Sequence, residues 1–271
     1  AIYSEGALQI KDSSFNRNWA DDDGGAIRTS PEDGDLFITR TAFIENIAMD
    51  DGGAIDISTG PVAHYDDVIL SSLFRGNEAF GSGGAINSAF VVLILNTFED
   101  NTDPQGATLD IGGGALSGNV LIGSSNDGDL CSIYDFVEAA DNFATDSSCF
   151  ESGQSELNTL LSRDEITSEE ELHILPEGYG VSILQAFQSQ QEFFLDPPSD
   201  SNPEGVLAPL GDFITQELNK DFDSQVREST LSWTAGHLQR ILPEPSIAPE
   251  VDDSVVDKEK DKPKDSESNS Q

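Results

Sequence analysis

The chain has 271 residues, with 13 Lys plus Arg against 51 Asp plus Glu and a formal net charge of −38. That length allows one large domain or two ordinary ones around a substantial core. The charge excludes nucleic-acid binding, which needs Lys and Arg to neutralise phosphates, and it disfavours anionic lipid surfaces and anionic polysaccharides.

In chain order, residues 1–125 carry an internal repeat. Gly-Gly-Ala-Ile occurs at Gly24–Ile27, Gly52–Ile55 and Gly83–Ile86, with Gly-Gly-Ala-Leu at Gly113–Leu116, in steps of 28, 31 and 30 residues. A second motif, Phe-x-x-Asn, keeps time with it at Phe15/Asn18, Phe43/Asn46, Phe74/Asn77 and Phe98/Asn101. In the first three copies the Phe precedes the first Gly by nine residues. Short runs of alternating apolar residues (Leu8/Ile10, Leu36/Ile38, Val91/Leu93, with Ile69 in the third copy) lead into each Phe and read as strands. Spacing varies mainly after Gly-Gly-Ala-Ile, where the first two copies carry long polar insertions and the third only Asn-Ser-Ala. Variable length at one fixed point predicts loops leaving one side of a regular coil.

The expected fold is therefore mainly β, a right-handed parallel β-helix whose turns stack about 4.8 Å apart. Phe15, Phe43, Phe74 and Phe98 are expected to form an internal aromatic column, and Asn18, Asn46, Asn77 and Asn101 an amide ladder. The pairs Gly24/Gly25, Gly52/Gly53 and Gly83/Gly84 are expected at the corners, for positive φ and close backbone approach. Either Gln105–Thr108 or Gly113–Leu116 could complete the fourth corner. The opening Ala1-Ile2-Tyr3 matches the residues that come after Gly-Gly in such a repeat, so an earlier turn is expected upstream.

Over residues 1–125 the paired motifs resemble the repeats of the polymorphic outer membrane proteins of chlamydiae. The resemblance implies a pectin-lyase-like β-helix and an adhesive passenger at a cell surface. It implies no activity. In that family a translocating β-barrel comes next, whereas residues 150–245 here lack alternating strands of membrane-barrel length.

Residues 126–155 read as a terminal rung or connector holding both cysteines, Cys131 and Cys149. In a secreted chain these are expected to pair; two unrelated thiols is the alternative. Residues 156–242 read as helical, with a capping-box signature at Ser168/Glu171 and an i+4 stripe of Leu210, Ile214, Leu218, Phe222 and Val226. Packing together or capping the open solenoid end is the expected use of these stripes. Residues 243–271, rich in Pro, Asp, Ser and Lys, read as a disordered acidic tail. The longest apolar run, Ala89–Leu95, is strand-sized, so no transmembrane segment is expected.

Candidate chemistry is sparse. Asp22/Asp23 and Asp50/Asp51 are the weak Ca²⁺ candidates, but Gly81 and Ser82 break that ladder in the third copy. A solvated turn is the plainer reading, and no cofactor is expected. Asp56, His64, Asp66 and Asp67 form the most site-like patch, read as a binding loop or as a polar surface insertion. The basic residues of the repeats occupy no shared rung position, and no nucleophile elbow, phosphate loop or zinc spacing occurs. No catalytic residue is assigned. The expectation is an exported surface or extracellular protein that contacts a protein or glycan through its loops. A polysaccharide lyase or glycoside hydrolase on the same fold is the alternative.

Overall fold

A computed structural model describes residues 1–29, 36–58, 67–123, 129–134, 137–150, 158–161, 174–177, 217, 220 and 232–234. After β1 (Ile2–Ser4), the first rung runs through β2 (Leu8–Lys11), β3 (Ser14–Asn16), β4 (Trp19–Ala20) and β5 (Ile27–Thr29). The second repeats it as β6 (Leu36–Thr39), β7 (Ala42–Ile44), β8 (Ile47–Ala48) and β9 (Ile55–Ile57). The third is β10 (Val68–Leu70), β11 (Leu73–Arg75), β12 (Glu78–Ala79) and the long β13 (Ile86–Ile94). Later rungs contribute β14 (Thr97–Glu99), β15 (Leu109–Ser117), β16 (Val120–Ile122), β17 (Cys131–Ile133), β18 (Val137–Ala140), β19 (Phe143–Ala144) and β20 (Thr159–Leu160).

Each strand pairs in parallel with its equivalents one rung away, which makes the chain a parallel β-solenoid. Three sheets line it. The ten-stranded sheet A holds β1, β5 and β9 in one half and β2, β6 and β10 in the other, and β13 and β15 run through both halves. Sheet B has seven strands, β3 to β20, and sheet C only β4, β8 and β12. In the first two rungs the chain leaves sheet A after β5 or β9 and re-enters at β6 or β10. In the third, Asn87-Ser88-Ala89 is absorbed into β13, so the insertions all depart from the seam between the two halves.

Parallel stacking puts like on like. Phe15, Phe43, Phe74 and Phe98 stack with centroids 5.2, 4.8 and 4.8 Å apart. Leu121 and Ala144 continue that column in register. Ile27, Ile55, Ile86 and Leu109 form a second buried column, and Leu36, Ile38, Ile69 and Leu93 fill the other half of sheet A.

Two corners bend the chain through left-handed residues, and each is secured by an amide ladder. Arg17, Glu45 and Asp100 have φ of 54°, 51° and 52°, a backbone state unfavourable for side chains larger than Gly. The next residue in each case is the Asn of Phe-x-x-Asn. The backbone N–H groups of Asn18, Asn46 and Asn77 donate to the side-chain oxygen of the Asn one rung on, at 3.0, 2.9 and 3.0 Å. The Asn77 and Asn101 amides also donate back to the Phe43 and Phe74 carbonyls, both at 3.0 Å. A second ladder, invisible to the Phe-x-x-Asn motif, joins Asn96, Asn119, Asn142 and Asn158 at the corner between sheets A and B. Ser72 and Thr41 hold its place in earlier rungs.

The Gly-Gly pair supplies both the positive φ and the close backbone approach expected of it, and divides the two tasks between its members. Only the first glycine of each pair takes the positive φ: Gly24, Gly52 and Gly83 lie near 67°, whereas Gly25, Gly53 and Gly84 stay out of the left-handed region. The second glycine is required by close approach instead. A Cβ on Gly25 would lie 2.1 Å from the Gly53 carbonyl oxygen, and one on Gly53 equally close, 2.1 Å, to that of Gly84. The physical reason is the stacking itself, because the Gly25 N–H donates to the Gly52 carbonyl at 3.1 Å and draws the two backbones together. The fourth corner is made by Gly106-Ala107-Thr108-Leu109, since Gly84 and Ala85 donate to Ala107 and Thr108 and Ile86 pairs with Leu109. Gly113–Leu116 instead lies inside β15 beside Phe90–Leu93.

Cys131 and Cys149 are joined in a disulfide with Cα atoms 4.9 Å apart. The helical expectation for 156–242 meets a correction at its described strand positions, where β21 (Ile174–Glu177) and β22 (Ser232–Thr234) form an antiparallel pair. The rest of that stretch and the expected 243–271 tail lie outside the described residues, apart from residues 158–161, 217 and 220. Among the described residues no helix is long and apolar enough to cross a membrane.

Candidate functional site

In the half of sheet A that holds β1, β5 and β9, side chains that alternate away from the core fall into one polar column, whereas in the other half Val68, Leu70, Val92 and Ile94 point outward into a separate buried apolar cluster. Register places Tyr3, Arg28, Asp56, Asn87, Asp110 and Ser132 at the same position on β1, β5, β9, β13, β15 and β17. Asp56, 2% exposed, accepts from the Asn87 amide at 2.8 Å and from the Ser58 hydroxyl, with the Arg28 Nε at 3.8 Å. Burial pushes its carboxyl up to about 6 against the pull of those hydrogen bonds. Asp110, two rungs further on, accepts from the Tyr134 hydroxyl at 2.8 Å and is likewise raised by burial.

The acidic corner adjoins this column. Oxygen atoms of Asp22, Asp23 and Asp50 lie within 4.8 Å of one another. Such a group could approach a cation, but Arg28 already bonds Asp22 at 2.6 Å and Asp23 at 2.7 Å. The corner carboxylates also accept backbone donors of the following rung: Asp51 N–H donates to Asp23 at 3.1 Å and Ser82 N–H to Asp51 at 2.7 Å. In the next copy the direction reverses, and Asp103 accepts from the Gly83 N–H of the preceding rung at 3.0 Å. Acid at this corner thus closes rung upon rung, and burial raises Asp51 above the ordinary carboxylate range.

Of the four residues of the predicted loop patch, only Asp56 and Asp67 lie among the described residues. Asp56 belongs to the polar column within β9. Asp67 is buried and accepts the Leu36 N–H at 2.8 Å, fixing the point where the chain re-enters sheet A. His64 and Asp66 lie outside the described residues. The column itself is readable only once register is known: Arg28, Asp56 and Asn87 each come after the Ile of Gly-Gly-Ala-Ile, but Asp110 comes after Leu109 in a copy without that motif.

The fold and the repeated corners define a parallel β-solenoid. Residues 12–30 match the family model of the Chlamydia polymorphic membrane protein (Chlamydia_PMP) repeat, a stretch running from the corner at Asp12 through Phe15/Asn18 to Gly24–Ile27. No curated protein and no solved structure matches the chain.

Proposed function

We propose that this chain is an exported surface or extracellular β-helix protein that binds a partner without chemistry, through the insertions that leave the solenoid at the seam of sheet A. The observation that carries the reading is the contrast between strictly repeated core positions and insertions of unequal length at one point in the coil. A rigid rod with variable loops on one side is a scaffold for recognition. The family match supports surface placement. The partner is a protein or glycan, and the net charge favours neutral or cationic chemistry over anionic.

The test replaces residues 59–66 with the short connection of the third rung, where Asn87-Ser88-Ala89 crosses the same seam within one strand. Loss of binding to matrix or cell-surface material is expected, with the melting transition retained. Unchanged binding would overturn the loop-contact reading.

A polysaccharide-cleaving enzyme is the second reading, favoured by Asp56 and Asp110. Two rungs put their strands roughly 10 Å apart, close to the carboxyl separation of inverting glycosidases. Against it, Asp56 is buried and already engaged by Asn87, Ser58 and Arg28, which leaves it no open approach to a sugar. Glycan cleavage by the intact chain that disappears in Asp110→Asn would reverse the preference.

A further inference from the structure

Sheet C carries a second surface of a different character. Ala20, Ala48 and Ala79 are in register on β4, β8 and β12 and point inward, so the residues on either side of them point out. Those positions form two outward columns: Trp19, Ile47 and Glu78 before the Ala, and Asp21, Met49 and Phe80 after it. Trp19 is 56%, Met49 42% and Phe80 51% exposed, which makes three of the six exposed large apolar side chains among the described residues fall on three consecutive rungs. Isolated exposed apolar residues are ordinary; a contiguous group rimmed by polar residues is the mark of an interaction site. The Trp19 indole N–H donates to Asp21 at 3.0 Å, which holds the ring at the edge of the stripe.

The rim has one sign. Asp21, Asp50 and Glu78 are exposed, and among the described residues none of them forms an ion pair. The nearby cations are engaged elsewhere: Arg17 with Glu45 at 2.5 Å, and Arg28 with Asp22 and Asp23. Aromatic faces beside carboxylates are suited to guanidinium and ammonium groups, which take a ring face and an ion pair together. A second copy of this chain, at net charge −38, is repelled.

We propose that the outward face of sheet C docks a basic peptide segment of a partner protein, with Arg or Lys at every second position. Side chains of an extended segment alternate between its faces, so cations at every second position lie over Trp19 and Phe80 against Asp21, Asp50 and Glu78, and their aliphatic stems cover Ile47 and Met49. Three rungs span roughly 10 Å, the length of about three residues of extended chain. This site lies on a different sheet from the seam loops; it rests on the binding role proposed above and deepens it by naming a partner chemistry.

The test titrates the intact chain with a fluorescent peptide of alternating Arg and Leu, and with its Arg→Gln counterpart. The expected result is saturable binding of the Arg peptide that weakens with salt and falls on the order of tenfold in Trp19→Ala/Phe80→Ala. Asp21→Asn/Asp50→Asn/Glu78→Gln is expected to weaken it comparably. A charge-matched control in the C-terminal stretch, Asp252→Asn/Asp253→Asn/Asp257→Asn, and the 59–66 replacement are expected to bind as the parent does. Equal losses in the control, absence of binding, or Trp19- and Phe80-dependent capture of neutral oligosaccharides instead of the peptide would each overturn the proposal. Loss only in the 59–66 replacement would refute this site while supporting the seam loops.

Discussion

Asn77 offers the sharpest test of how the rungs are held together. Its side-chain oxygen accepts both the Asn46 N–H and the Asn46 amide at 2.9 Å, and its amide donates to the Phe43 carbonyl at 3.0 Å and to Asn101 at 2.7 Å. All four contacts are buried. Asn77→Ala deletes them together and leaves the Asn46 N–H without its acceptor. At roughly 1 kcal/mol for each bond, with the extra cost of an orphaned buried donor, the expected loss is about 4 kcal/mol or more. That is a large share of the ~5–15 kcal/mol that stabilises a typical domain. Asn18 occupies the equivalent position one rung earlier and is only partly buried, its side-chain amide donating to the Asn46 oxygen at 2.8 Å. Asn18→Ala should therefore cost about 1 kcal/mol. Urea unfolding followed by circular dichroism measures both, through the midpoint at constant slope. If the two substitutions cost the same, or Asn77→Ala costs as little as a surface change, the ladder does not bind the rungs and the reasoning fails.

The same geometry sets further outcomes. Gly53→Ala drives a Cβ to 2.1 Å from the Gly84 oxygen and should abolish or severely weaken cooperative unfolding, whereas Gly6→Ala, with nothing within 4 Å, should leave the midpoint unchanged. Asp56 carries the clearest pH signature. Its folded carboxyl titrates near 6 against an ordinary value of 3.8, so the native state holds the proton more tightly and its contribution to stability falls as pH rises through that window. Asp56→Asn removes that penalty. Thermal unfolding should show the variant gaining on the parent between pH 4 and 6, by up to about 3 kcal/mol; a gain on acidification instead would reverse the sign of the argument. Cys131→Ser/Cys149→Ser opens a link across a sequence separation of 18 residues and should lower stability by about 3 kcal/mol in denaturant titration. Because Arg28 occupies the carboxylates of Asp22 and Asp23, Ca²⁺ should raise the melting temperature no more than Mg²⁺; a Ca²⁺-selective rise would restore the cation reading of that corner.

Much of the solenoid is legible in the sequence because its physics is local and periodic. Phe43 and Phe74 must face inward and must meet their equivalents one rung away, so a regular interval in sequence becomes a column in space. The second amide ladder is not legible, because its place is taken by Thr41 and Ser72 before Asn96, and any small polar acceptor at the corner satisfies the geometry. The separate duties of Gly24 and Gly25 are hidden too, since one letter serves both a left-handed turn and a close contact. The fourth corner escapes for the converse reason. Gly113-Gly114 repeats the motif but meets a different need, since a Cβ on Gly114 would lie 1.9 Å from the Val91 oxygen inside sheet A. Asp56 and Asp67 look alike in sequence, two acids near a loop. Only register separates an outward carboxylate in mid-strand from one that fixes a strand entry, and register is a property of neighbouring rungs rather than of the segment itself. The sheet C stripe shows the same limit: Trp19, Met49 and Phe80 fall in three repeats at two different repeat positions, and become one surface only when the rungs are stacked.

The most direct test of the binding role is a retention measurement with the intact chain passed over immobilised matrix or cell-surface material, the eluate being analysed for released sugars. Retention of the chain with no new oligosaccharide in the eluate is the predicted result. Release of glycan fragments, or passage of the chain without retention, would contradict it.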